Sequence, residues 1–144
     1  MKDIKCIYAK EISVNNIIEV EKQVNYKFPE EFVHFIIKNS GGYPMCNRID
    51  IEEDTESVNN FLDFSEEGSN YIVKTYSCNK GLQVQNCIPF ARDAGSNYYC
   101  FDRNDNSILF WDHEECDEEN GPFCVCDTFE EFIESLYEEE NEML

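Results

Sequence analysis

Apolar positions recur along this chain with two periods. Val14, Ile17, Ile18 and Val24 fall on one helical face just after Ser13, a side chain suited to cap a helix start, so residues 14–24 are predicted as a helix. Phe28, Phe32, Phe35 and Ile36 repeat at the i, i+4, i+7, i+8 spacing of a buried stripe. Pro29 suits the first turn of that second helix, and Gly41-Gly42 end it, since glycine accepts the left-handed conformation common at helix ends. The rhythm then changes to short apolar and β-branched runs near 47–52, 61–64, 86–91, 97–102, 107–112 and 123–126, which read as strands. The pair 97–102 and 107–112 is the clearest hairpin, because the turn formers Arg103-Asn104-Asp105-Asn106 join them. Both runs are apolar at nearly every position and are expected to sit centrally, with both faces covered. A last helix is predicted over 129–139. Thr128 and Glu131 have capping-box spacing there, and Phe129, Phe132, Ile133, Leu136 and Tyr137 form the inward face.

Helices, then strands, then a helix is an α+β order. The expected fold is a mainly antiparallel sheet of about six strands packed by the N-terminal and C-terminal helices. No repeat, Pro/Gly-rich linker or low-complexity block interrupts the chain, so 1–144 reads as one domain, with a core over about 13–137 and an acidic tail at 138–144.

Composition supports that core: of 144 residues, 42% are hydrophobic and 14% aromatic, which excludes a disordered chain despite the charge. The charge itself is one-sided. Net charge is −20, and residues 1–48 are nearly balanced, so the excess lies entirely in residues 49–144. Self-repulsion of that size destabilises a compact state and exceeds what solubility needs, about 2–8 charges on a small domain. It also argues against direct nucleic-acid binding, since phosphates would be repelled. Two acidic runs stand out: Asp50, Glu52, Glu53, Asp54 and Glu56, and then Asp112, Glu114, Glu115, Asp117, Glu118 and Glu119. Each follows a predicted strand end and is expected in a loop, where binding residues tend to lie. A solvated surface and a face for a basic protein partner both fit such runs. The one-sided charge favours the second.

Other chemistry is sparser. No P-loop, dinucleotide-binding glycine fingerprint, nucleophile elbow or His-Glu-x-x-His is present, and the histidines are His34 and His113 alone, so no catalytic residues and no cofactor are assigned. Met1-Lys2-Asp3-Ile4-Lys5 leads into no apolar segment, and no run approaches the roughly 18 apolar residues of a membrane span. The expectation is a cytoplasmic protein without membrane contact, whose eight cysteines stay reduced. His113, Cys116, Cys124 and Cys126 offer one imidazole and three thiols, a set suited to tetrahedral zinc. The Cys-x-Cys spacing argues against it: on a strand it points both thiols to one face, and the usual two-residue gap is missing. Cys124 and Cys126 are therefore expected as small core residues under the last helix.

Four blocks, in order, resemble the SUKH superfamily in its Smi/Knr-like branch. The first runs from Glu21-Lys22-Gln23-Val24-Asn25-Tyr26-Lys27-Phe28-Pro29-Glu30-Glu31-Phe32 through Phe35-Ile36 to Asn39-Ser40-Gly41-Gly42. The second is Ile88-Pro89-Phe90-Ala91-Arg92-Asp93 with Gly95-Ser96-Asn97 and Cys100-Phe101-Asp102. Ile108-Leu109-Phe110-Trp111-Asp112-His113-Glu114 and Asp127-Thr128-Phe129-Glu130-Glu131-Phe132 complete the set. Ser40 and Ser96 depart from the family pattern, both in turns. The resemblance implies a non-enzymatic binding domain. Many bacterial members neutralise a cognate polymorphic toxin, and fungal relatives act as regulatory scaffolds. The reading adopted is an immunity protein whose acidic loops occlude a basic toxin domain, with a nuclease as the class a cationic cleft suggests. A regulatory scaffold is the alternative, and a zinc-stabilised binding domain the third.

Overall fold

The computed structural model describes residues 1–139; residues 140–144 of the expected acidic tail lie outside them. Strand β1 (Cys6–Ile7) is followed by helix α1 (Val14–Val24), with Ser13 at its N-cap as predicted. The inward line of α1 is Ile17, Val20 and Val24, whereas Val14 and Ile18 are exposed. Each helical residue turns about 100°, so a stripe through Ile17 carries Ile18 onto the flank, contrary to expectation. Helix α2 (Glu30–Asn39) buries Phe32, Phe35 and Ile36, with Pro29 as the flanking residue. Ser40 is buried, and its hydroxyl accepts the Phe64 backbone N–H at 2.9 Å. Gly41 follows at φ +68°, where a Cβ would lie 2.0 Å from an Asp63 carboxylate oxygen, so only glycine fits.

Strand β2 (Tyr43–Pro44) pairs with β1, and β3 (Arg48–Ile51) with β4 (Asp54–Ser57). The remaining strands form one antiparallel meander: β5 (Asn60–Phe61), β6 (Cys87–Arg92), β7 (Tyr98–Asp102), β8 (Ile108–Trp111) and β9 (Phe123–Cys126). This main sheet has five strands, not six. The run near 47–52 leaves it because Glu52, at φ 57°, turns the chain straight back and β4 takes the pairing edge of β3. Strand β4 is the polar stretch Asp54-Thr55-Glu56-Ser57, with no apolar alternation to reveal it. Two short helices, α3 (Ile72–Ser77) and α4 (Lys80–Val84), fill the long β5–β6 connection; each is too short for a periodic signal. Helix α5 (Phe129–Ser135) stops before the predicted end. Leu136 turns extended, and Tyr137 exchanges backbone hydrogen bonds with Arg48, at 3.0 and 2.9 Å, in place of a further helical turn. Tyr137 is consequently exposed, although the periodicity placed it inward.

Strand alternation sorts the central residues onto two faces. Phe90, Tyr99, Phe101, Ile108 and Phe110 meet α1, α2 and α5 in the main core. Phe32 is at its centre, with ring centroids 5.0–5.8 Å from Phe28, Phe64, Phe90, Phe101 and Phe129. Cys87, Cys100, Leu109, Trp111 and Cys116 form a smaller cluster on the opposite face with Leu82 of α4. Helix α4 lies directly on Trp111: a Cβ at Gly81 would stand 2.8 Å from that ring. Both faces of β7 and β8 are thus covered, as their apolar runs require.

Candidate protein-binding cleft

The β3–β4 hairpin is seated on the main sheet through Ser57, whose carbonyl accepts the Tyr99 hydroxyl at 2.8 Å and whose hydroxyl accepts the Ala94 N–H at 3.1 Å. Between this hairpin and the end of β8–β9 lies an open cleft of about 220 Å³. Ile51, Phe110 and Phe123 give it an apolar lining, and Glu52, Asp54, Glu56, Asp112 and Glu115 surround them with carboxylates. Phe110 and Phe123 are directly opposite each other in the β8–β9 ladder, so their rings share one face. Phe123 remains 46% exposed, a large apolar surface left to solvent within an anionic rim.

Both acidic runs therefore contribute to one place, and each divides. On β4, Asp54 and Glu56 are two residues apart and point the same way, into the cleft. Asp50 points elsewhere, accepting hydrogen bonds from the Tyr137 hydroxyl at 2.6 Å and the Thr55 hydroxyl at 3.0 Å. Glu53 is exposed in the turn beside Glu52. The first run was expected in a loop; only Glu52 and Glu53 lie in one, because the polar residues beyond them form β4. In the second run Asp112 and Glu115 line the cleft. Asp117 is occupied within its own turn, where the Asn120 and Glu119 N–H groups at 2.7 and 2.8 Å hold its carboxyl below the usual range. Glu118 pairs with Lys80 at 3.6 Å, Glu114 lies 4.0 Å from His113, and Glu119 is exposed.

A buried brace sets the second loop. Asp93 accepts from the backbone of Gly95 and Asn97, each at 2.8 Å, and from the Asn97 amide at 2.9 Å. Asn97 Oδ1 in turn accepts the His113 N–H at 2.9 Å and lies 2.7 Å from its Nδ1. The positive φ of Ser96, 69°, bends this loop back on itself. Asp93 and Asn97 thus orient the turn carrying Asp112 and Glu115. Their role was not evident from the sequence, although both sit in a block singled out there; the apolar lining of Phe110 and Phe123 was also missed.

The electrostatics are those of crowded like charges. Among the described residues, none of the five cleft carboxylates has an ion-pair partner. Glu56 is pushed above the ordinary carboxyl value of 4.5, first by partial burial and then by Asp93, Asp54 and Asp112. A raised folded-state pKa means that stability from Glu56 is fully present below the unfolded value and is lost as pH rises through the folded one. Glu56→Gln should therefore raise the urea midpoint relative to wild type more at about pH 7 than at about pH 4. An equal gain at both pH values would show that Glu56 feels no such crowding.

The four metal-ligand candidates are dispersed, and among the described residues no three His, Cys, Asp or Glu side chains gather as a metal site. Cys116 is buried in the smaller cluster, its thiol directed to the Gly121 carbonyl at 3.4 Å. A bulge in β9 pairs Cys126 with Ile108 and Cys124 with Leu109, so the two thiols face opposite sides of the sheet rather than one. Cys126 is partly covered by the main core and pushed up to about 11 by burial, but Cys124 is exposed, contrary to the expectation of a core residue. All eight cysteines are free thiols, three of them buried (Cys87, Cys100, Cys116) and two exposed (Cys78, Cys124). A thiol reagent should label Cys78 and Cys124 fast in the native protein and reach about eight groups only on denaturation. Fewer than eight without added reductant would mean that disulfides form.

Residues 11–135 match the profile of the SMI1/KNR4 family (SUKH-1). The chain belongs to this family. It is also 27% identical to an SPbeta prophage-derived uncharacterized protein, YokK, of Bacillus subtilis, over 84% of this chain and 72% of that protein. The SMI1/KNR4 match begins before α1 and ends with α5, so it takes in the main sheet, the β3–β4 hairpin and every residue of the cleft. No helix among the described residues is long and apolar enough to cross a membrane.

Proposed function

We propose that this SMI1/KNR4 family protein is an immunity protein: it binds a cognate toxin domain in the cytoplasm and neutralises it by occlusion, without catalysis. The observation that carries the reading is the cleft itself, five carboxylates around an apolar lining, none with an ion-pair partner among the described residues. Bringing these carboxylates together raises the free energy of the unbound protein. A cationic side chain relieves that repulsion, and an arginine does so best: its alkyl stem lies along Phe110 and Phe123 while its guanidinium takes carboxylates in bidentate geometry. Exposed Glu53, Glu114 and Glu119 extend the same negative field beyond the rim and steer a basic partner inward.

A protein surface rich in such side chains and kept free of its own acids is characteristic of a nucleic-acid-binding cleft. The partner is accordingly a nuclease-type toxin domain, with the carboxylates standing where phosphates would bind. The family supports a protein-binding role, and the net charge of −20 disfavours nucleic acid on this chain's own surface. The test is protection in cells. Co-expression with the cognate toxin domain should restore growth for wild type and fail for a variant carrying Glu56→Lys and Glu115→Lys at equal protein level. Full protection by that variant would remove the cleft from the mechanism.

A further inference from the structure

We infer that β9 is the docking edge, and that a basic extended segment of the partner adds to the main sheet as a sixth strand beside it. This rests on the reading of the cleft as the site for a cationic partner and specifies how the partner's chain enters. The main sheet has two edges, and they are treated differently. Strand β5 is covered: Phe61 donates to the Gly42 carbonyl at 2.9 Å, and Gly41 donates to the Leu62 carbonyl at 3.3 Å. Strand β9 pairs with β8 alone, and among the described residues its backbone makes no hydrogen bond on the other side.

Edge strands are normally blunted by a lysine, a proline, an inward charge or a covering element. Strand β9 is Phe123-Cys124-Val125-Cys126, without a charge or proline, and Phe123 and Cys124 are exposed. Its protection is limited to brevity, the bulge at Val125 and Pro122 just before the strand, which leaves the edge of β9 itself open. The flanks are acidic, with Asp117, Glu118 and Glu119 before it and Asp127 after it, so another copy of this chain is repelled and a basic segment attracted.

The edge and the cleft are also in register. Residues opposite one another on adjacent strands project to the same face. A side chain facing Phe123 from an added strand therefore emerges on the cleft side, where Asp112 and Glu115 wait. Main-chain hydrogen bonds then supply attachment, and one cationic side chain in the cleft supplies selectivity, the division of labour seen in strand addition generally.

The test uses the full-length protein, labelled with ¹⁵N, and a synthetic peptide of about ten residues alternating Arg and Val. Two N-methylated forms of the peptide block one backbone edge each, and a further form replaces Arg with uncharged citrulline. The proposal predicts slowed amide exchange at β9, loss of binding when one edge is methylated and retention when the other is. Equal tolerance of both methylated forms, with shifts at Glu56 and Glu115 but none in β9 exchange, would overturn strand addition and leave the cleft reading standing. Equal binding of the citrulline form, with β9 protected, would support strand addition and count against the charge reading. No binding by any peptide at millimolar concentration would contradict both.

Discussion

Neutralising the cleft with Glu56→Gln, Asp112→Asn and Glu115→Gln together is expected to slow association with the proposed basic partner by roughly tenfold to hundredfold at low salt, because charge steering raises on-rates over such a range. These carboxylates come from two parts of the chain but line one cleft, without ion-pair partners among the described residues, so their fields add at its mouth. The slope of the rate against ionic strength should flatten in parallel, since screening acts only on the charge that remains. Stopped-flow mixing across a salt series, wild type beside the variant, reads both quantities. The fold should survive and gain slightly in stability, as removing mutual repulsion relaxes the unbound state. A control triple, Glu53→Gln with Glu114→Gln and Glu119→Gln, removes the same charge outside the cleft and should slow association less. Equal slowing by the two triples would mean that only overall charge matters and that the cleft has no special role.

Phe32→Ala should be the most damaging substitution in the core, lowering stability by about 3–5 kcal/mol, a fall of roughly 10²- to 10⁴-fold in the folded-to-unfolded ratio. Phe32 has no exposed surface and its ring meets five other phenylalanines drawn from the α1–α2 link, the β5–α3 segment, β6, β7 and α5. Removing it leaves a cavity that rigid neighbours on so many elements cannot close together. Phe123→Ala provides the contrast. It deletes a ring of similar size from the cleft, where nearly half of the residue's surface already meets water, so stability should change by less than about 1 kcal/mol while the complex dissociates faster. Urea unfolding monitored by Trp111 fluorescence measures the first effect. A loss below about 1 kcal/mol for Phe32→Ala would place the centre of the core elsewhere.

What was legible in the chain was what period alone encodes. The stripes of α2 and α5, the Ser13 and Thr128 caps and the β7–β8 hairpin could be read because long apolar runs and turn formers carry those signals. Strand β4 could not, since Asp54-Thr55-Glu56-Ser57 looks like a polar loop, and only pairing with β3 makes it a strand. The short α3 and α4 were silent for want of a full apolar repeat. The same limit governed the cleft. Its carboxylates were visible as two runs, but their convergence depends on Ser57 holding the hairpin to Tyr99 and on Asp93 and Asn97 holding the 112–116 turn. The bonds from Tyr99 to Ser57 and from His113 to Asn97 are long-range and leave no local signature, and the short Asp93–Asn97 loop does not announce which distant turn it holds. Phe110 and Phe123 were masked in another way: a strand phenylalanine reads as core, and whether its neighbour covers it is a property of the sheet edge.

Co-purification separates an immunity protein from a regulatory scaffold. The wild-type protein and the Glu56→Gln, Asp112→Asn, Glu115→Gln triple are each recovered from the native cell under native conditions, and bound proteins are compared by quantitative mass spectrometry. An immunity protein acting through this cleft should bring down a strongly basic domain, toxic when expressed alone, with wild type and much less of it with the triple. Recovery of a kinase or a wall-synthesis enzyme at equal yield with both proteins would contradict that reading and point to a regulatory scaffold.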